Sequence, residues 1–275
     1  MLKLRIITAL VLLPIVLGAL FFLERTGVAV VAAVFFLAAG WEWSNLIERI
    51  STTVRVIWLV TLGLLMIITE TVIGQADLIL YVLPLWWLAA LMLVVSYPAN
   101  ASHWYRPGWL MLMGWLLLLL PWMAIVHLQQ NGAFGLDGPW ALLFVLVWVW
   151  GADTGAYFAG RAFGKHKLAV QVSPGKTLEG LAGGVVLALL VAAGVQWAGL
   201  LDISLAVLLL MTLVTVLVSA LGDLFESMVK RQRGVKDSGK LLPGHGGMLD
   251  RIDSINAALP VVVMLLSWLG LQGGV

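Results

Sequence analysis

Several acidic residues of this chain stand where a membrane-embedded or helical interior is expected. Asp223 and Glu226 are three residues apart, as are Asp250 and Asp253, so each pair shares a helix face. Asp153 precedes Arg161 by eight residues and Asp223 precedes Lys230 by seven. At 1.5 Å per residue both acids lie roughly 10–12 Å inside their helix ends, at similar depth on different helices. Ionisable groups at such depth are costly and default to functional candidates. Carboxylates projecting from adjacent helices suit a hard divalent ion such as Mg²⁺, with substrate phosphates supplying further oxygens. For any one acid a packed, salt-bridged role is an equal alternative. Asp223 and Asp250 together, beside a basic glycine-rich loop, favour the metal.

That loop is the second chemical feature. From Ser227 to Asp253 there are six Lys or Arg and three Asp, a balance of +3. A solvated basic loop accounts for the charge but not for the turn PGHGGM (Pro243–Met248). Glycines let backbone N–H groups approach an anion, while Lys supplies a point charge and Arg a two-pronged donor. The combination describes a polyphosphate site. SPGKT (Ser173–Thr177) is not a P-loop, because Val170 stands where the first glycine is required. Ser173 or Thr177 as a helix cap and the same stretch as a phosphate contact are evenly matched. His103 and His127 have no partner at ligand spacing. Gly151 and Gly155 read as a helix-packing face. Glu42, in WEWSNL, either lines the cavity or reaches the interface.

The elements that must position these residues are membrane helices. The 275 residues are 62% hydrophobic and 11% charged, with no cysteine, which excludes disulfides and thiol chemistry. Nine apolar runs are long enough to span: 6–23, 27–47, 56–73, 78–97, 109–127, 139–160, 177–199, 203–229 and 251–272. The first is read as an uncleaved span rather than a signal peptide. With the N-terminus inside, fifteen of the sixteen Lys and Arg fall on the inner side and only Arg25 outside. The expected fold is therefore an all-α polytopic membrane protein with about nine transmembrane helices, N-terminus cytoplasmic and C-terminus outside. Residues 1–138 carry helices one to five. Residues 139–275 carry helices six to nine and the cytoplasmic loops of the site.

SMVKRQRGVKDSGKLLPGHGGMLDRID (Ser227–Asp253) closely resembles the signature of the phosphatidate cytidylyltransferase (CDP-diacylglycerol synthase) family. Ser227, Lys230, Arg231, Lys236, Asp237, His245, Gly246, Gly247, Asp250, Arg251 and Asp253 all match. GADTGAYFAGRAFGK from Gly151, SPGKTLEG from Ser173, GDLFES from Gly222 and the WEW near the second run are similar too. Gly175 departs from the family's usual Lys. The resemblance implies Mg²⁺-dependent CTP + phosphatidate → CDP-diacylglycerol + pyrophosphate, at a site facing the cytoplasm from the bacterial inner membrane. The implied roles are Asp223 and Asp250 on Mg²⁺, with Asp253 on it or on a second cation. Lys230, Arg231, Lys236 and Arg251 would take the triphosphate or lipid phosphate, with His245 a donor from the Gly246–Gly247 turn. Ser173, Lys176, Thr177 and Asp153, with Ser227 and Asp237, would complete the substrate site. CTP, phosphatidate and membrane lipid are the expected partners; a homodimer is left open and no nucleic acid is expected. The alternatives are a CTP-dependent lipid (polyprenol) kinase and, behind it, an anion transporter.

Overall fold

A computed structural model describes residues 2–71, 75–244 and 246–271. Each apolar run becomes a helix over its described residues. These helices are α1 (Leu2–Phe22), α2 (Arg25–Leu46), α3 (Thr52–Thr71), α4 (Gln75–Ser96), α6 (Pro107–Asn131), α7 (Gly138–Phe163), α8 (Leu178–Trp197), α9 (Leu205–Gln232) and α10 (Leu249–Trp268). A single turn, α5 (Ala101–Trp104), precedes α6. Seven of these helices, α2 to α4 and α6 to α9, are long and apolar enough to cross a membrane. Ile57, Leu64, Leu85, Val95, Leu190 and Trp197 stay exposed on their outer surfaces. Apolar surface on that scale belongs against lipid tails, and the chain is an integral membrane protein.

α6 forms the hub, packed against α2, α3, α4, α7 and α10. Its apolar residues point in all directions, as a helix surrounded by others requires, and Leu117, Leu118, Leu120 and Met123 are fully buried. The halves of the chain interleave, because α10 also packs on α2 and α4.

Two seams bring the polar helices close. Along α7 and α8 the backbones nearly touch: a Cβ added at Gly155 would lie 2.5 Å from the Gly183 carbonyl oxygen, and one at Gly184 2.7 Å from that of Ala152. Small residues permit such approach and make it favourable where lipid gives helices no hydrophobic reason to associate. Between α9 and α10, a Cβ at Gly222 would meet the Ala257 methyl at 2.6 Å. The glycine thus holds its neighbour Asp223 near the first turns of α10.

The bundle is all-α apart from one short segment between α7 and α8. Residues 167–177 form an antiparallel hairpin, β1 (Lys167–Ala169) with β2 (Ser173–Thr177), with a bulge between the Lys167–Thr177 and Ala169–Ser173 pairs. SPGKT is therefore a strand leading into α8. Thr177 caps that helix, its Oγ1 accepting from Gly180 N at 3.1 Å. Glu179 in the first turn of α8 accepts from Lys165 N (3.0 Å) and contacts His166 Nδ1 (2.6 Å), anchoring the chain that enters the hairpin.

Candidate active site

A polar cavity of about 560 Å³ opens between α7, α8, α9, α10 and the hairpin. On α7, Asp153, Tyr157 and Arg161 recur every four residues and so line one face. Arg161 Nη1 donates to Tyr157 Oη at 3.3 Å. From β2 and α8 come Lys176, Thr177 and Gly180, from α9 Ser219 and Asp223, and from α10 Asp250, Arg251, Asp253 and Ser254. Among the described residues, four carboxylates face three cations here.

Three acids point into the cavity with modest protein partners. Lys176 Nζ pairs with Asp223 Oδ2, and Ser227 Oγ donates to Asp223 Oδ1 at 3.3 Å. Asp153 accepts from Ser254 Oγ at 3.3 Å, and Asp253 accepts from Ser254 N at 2.8 Å. Asp223 interacts electrostatically with both Asp153 and Asp253. Carboxylates gathered this closely favour a cation between them. Mg²⁺ binds through one or two carboxylates while keeping waters and substrate oxygens, so the donors present fit it. Among the described residues no closed cluster of three or more ligand side chains exists, and an ion completed by substrate phosphates needs none.

Asp250 lines the same cavity and also has several protein partners. Its carboxylate takes Lys230 Nζ at 2.6 Å, Ser238 N at 2.9 Å and Gly247 N at 2.9 Å. These three donors occupy most of the roughly four lone-pair sites of a carboxylate, so Asp250 organises the loop. Lys230 is likewise consumed: it is buried and also donates to Glu226 at 2.9 Å. Of the two acids at the head of α10, Asp253 is the freer donor to the cavity.

The loop between α9 and α10 is held by a second buried carboxylate. Glu42 of α2 accepts from Ser238 Oγ at 3.1 Å and from Leu249 N at 3.0 Å. Gly239 and Gly247 lie against that carboxyl group with no room for a Cβ. Gly246 has φ +85°, open to glycine and strained for other residues, and its Cα faces Asp250. The WEW motif is thus a clamp on the loop: Trp43 Nε1 bonds the Leu110 carbonyl at 2.8 Å and Glu42 grips the turn.

The remaining expected site residues fall into place unevenly. Arg231 donates to the carbonyls of Val172 (3.2 Å) and Val235 (3.3 Å), tying α9 to the hairpin. Ser173 is half-buried at the start of β2 and pairs with Ala169. Lys236 and Asp237 are exposed on the loop. His245 lies outside the described residues. Sequence reasoning passed over Tyr157, Arg161, Ser219 and Ser254. The four-residue spacing of Asp153, Tyr157 and Arg161 was the signal for the first two. Ser219 is set one helical turn before Asp223 in the same way, and Ser254 directly follows Asp253.

A family model described as the cytidylyltransferase family matches residues 3–269. A phosphatidate cytidylyltransferase of Pseudomonas aeruginosa is 46% identical over 271 residues, covering 97% of each chain. One from Haemophilus influenzae is 39% identical over 280 residues, covering 94% of this chain and 96% of the relative. One from Bacillus subtilis is 48% identical over 126 residues, covering 46% of this chain and 47% of the relative. With the family model spanning nearly the whole bundle, helices and loop alike, this chain belongs to the cytidylyltransferase family.

Proposed function

We propose that this protein is a phosphatidate cytidylyltransferase, making CDP-diacylglycerol and pyrophosphate from CTP and phosphatidate. It crosses the bacterial inner membrane nine times, N-terminus inside, with the polar cavity facing the cytoplasm. The observation that carries the reading is the cavity's charge. Four carboxylates and three cations line it at one end of an apolar bundle. A nucleoside triphosphate enters such a site with a divalent ion, and a lipid phosphate reaches it from the bilayer.

In the reaction a phosphatidate phosphate oxygen forms a bond to the α-phosphorus of CTP, and the bond from that phosphorus to the β-phosphate oxygen breaks, releasing pyrophosphate. Asp223 and Asp253, with Asp153 beside them, would hold Mg²⁺, which when bound supplies charge neutralisation on the phosphates. Lys176 exchanges Asp223 for a phosphate oxygen of CTP. Arg161, held by Tyr157, and Arg251 supply two-pronged donors for the remaining oxygens. The attacking oxygen is already ionised, so no side chain needs to remove a proton from it. Asp250, Lys230, Glu226 and Glu42 act at one remove by fixing the loop that carries Lys236 and Asp237.

The test is incubation of purified protein with Mg²⁺, phosphatidate and CTP labelled at the α-phosphorus. Label should pass into CDP-diacylglycerol with stoichiometric release of pyrophosphate. Release of labelled CDP beside an unlabelled phosphorylated lipid would instead identify a kinase.

A further inference from the structure

A second cavity, of about 480 Å³, lies on the opposite side of α10 from the hairpin, between α1, α2, α7 and α10. Its walls are apolar, among them Val16, Val31, Phe35, Leu146, Ile255 and Leu259. Among the described lining residues Arg251 carries the one charge, and Arg251 also lines the polar cavity. The two spaces therefore meet at a single exposed guanidinium. Along α10 the groove runs from Met248 to Leu259. That is about 16 Å at 1.5 Å per residue, close to half of a bilayer's ~30 Å hydrocarbon core.

We infer that this groove holds an acyl chain of the anionic phospholipid substrate, with Arg251 at its mouth drawing the headgroup phosphate into the polar cavity. The inference rests on the activity proposed above and adds which face of the bundle receives the lipid. An apolar slot one leaflet deep, ending at one cation, is complementary to an amphiphile with a tail and an anionic head. A third cavity, between α4, α9 and the hairpin, gives the contrast. It too is largely apolar, lined by Val95, Leu221 and Leu224, but no charged side chain lines it among the described residues. It offers a tail no anchor for its phosphate. The lipid thus approaches α10 from the α1–α2 side, and the nucleotide from the α7–α8 side.

Val31→Trp fills the groove from α2, far from the reacting groups, and Val95→Trp on α4 is the control. KM is measured for dioleoyl and dihexanoyl phosphatidate in detergent micelles and for CTP. Val31→Trp should raise KM for the dioleoyl lipid by about tenfold or more, while its KM for the dihexanoyl lipid and for CTP stays within about twofold. Val95→Trp should match the parent protein. An unchanged dioleoyl KM in Val31→Trp, or the effect appearing in Val95→Trp instead, overturns the assignment. Photolabelling of the unaltered protein by phosphatidate with a mid-chain diazirine decides the matter independently of variant folding. Label on α1, α2 and α10 supports the groove, and label on α4 and α9 overturns it. If the unaltered protein makes no CDP-lipid, the proposed activity fails, and the photolabel still decides where the lipid sits.

Discussion

At the scale of single residues, the polar groups divide into those proposed to face substrate and those that hold the loop. Asp223 and Asp253 belong to the first kind. Asp223→Asn or Asp253→Asn should lower kcat by about 10²-fold or more, as expected for loss of charge stabilisation on transferring phosphates. The thermal midpoint in detergent should stay near that of the parent; near-normal turnover would remove the residue from the metal site. Lys230 belongs to the second kind. It is buried between Glu226 and Asp250, at 2.9 and 2.6 Å. Lys230→Ala leaves two carboxylates facing each other without a cation, which costs about 3–5 kcal/mol. A clear fall in the midpoint of thermal unfolding is the expected result, and an unchanged midpoint would mean the lysine serves substrate instead. Sequence spacing brought Asp223, Glu226, Asp250 and Asp253 into view because i, i+3 pairs share a face. It left Glu42 unresolved, since its donors Ser238 and Leu249 lie 196 and 207 residues further on. No local pattern encodes such a contact.

At the scale of elements, the helices were legible because apolar runs of spanning length have one stable form in lipid. The hairpin was not legible. Ser173–Thr177 contains a proline and a glycine, lacks the alternation of a half-buried strand, and owes its conformation to pairing with Lys167–Ala169. The seam between α7 and α8 yields a prediction of its own. Gly155→Val drives a side chain into the backbone of α8 and should abolish monodisperse folded protein on size exclusion. Gly194→Ala is the matched control on α8, with no atom within 4 Å of the added methyl. It should be neutral or stabilising by about 0.5–1 kcal/mol, the usual gain for alanine over glycine in a helix. Equal behaviour of the two variants would show that the seam does not hold the pocket's walls.

At the scale of the whole molecule, the proposed orientation is directly testable because the chain has no cysteine. Single cysteines at Lys240 and Leu200, both exposed, should react oppositely with a membrane-impermeant maleimide in intact cells. Leu200→Cys should be labelled from outside and Lys240→Cys only after the cells are opened. The reverse pattern would invert the protein and place the polar cavity away from CTP. The proposed orientation rests on the basic residues, whose asymmetry is a global property of the chain. Which helices touch, and that α10 would lodge against α2 and α4, depended on shape complementarity spread over the bundle.

Thr8 in α1 donates to the carbonyl oxygen of Pro243, at 2.9 Å, in the loop that Glu42 and Asp250 also grip. The two residues are 235 positions apart. At a ribosomal pace of about 5–20 residues per second, roughly 10–50 s separate their emergence. α1 is therefore made long before the loop that it grips, and this contact waits until almost the last segment arrives. A nascent chain arrested before residue 243 has every wall of the bundle except the one that closes it.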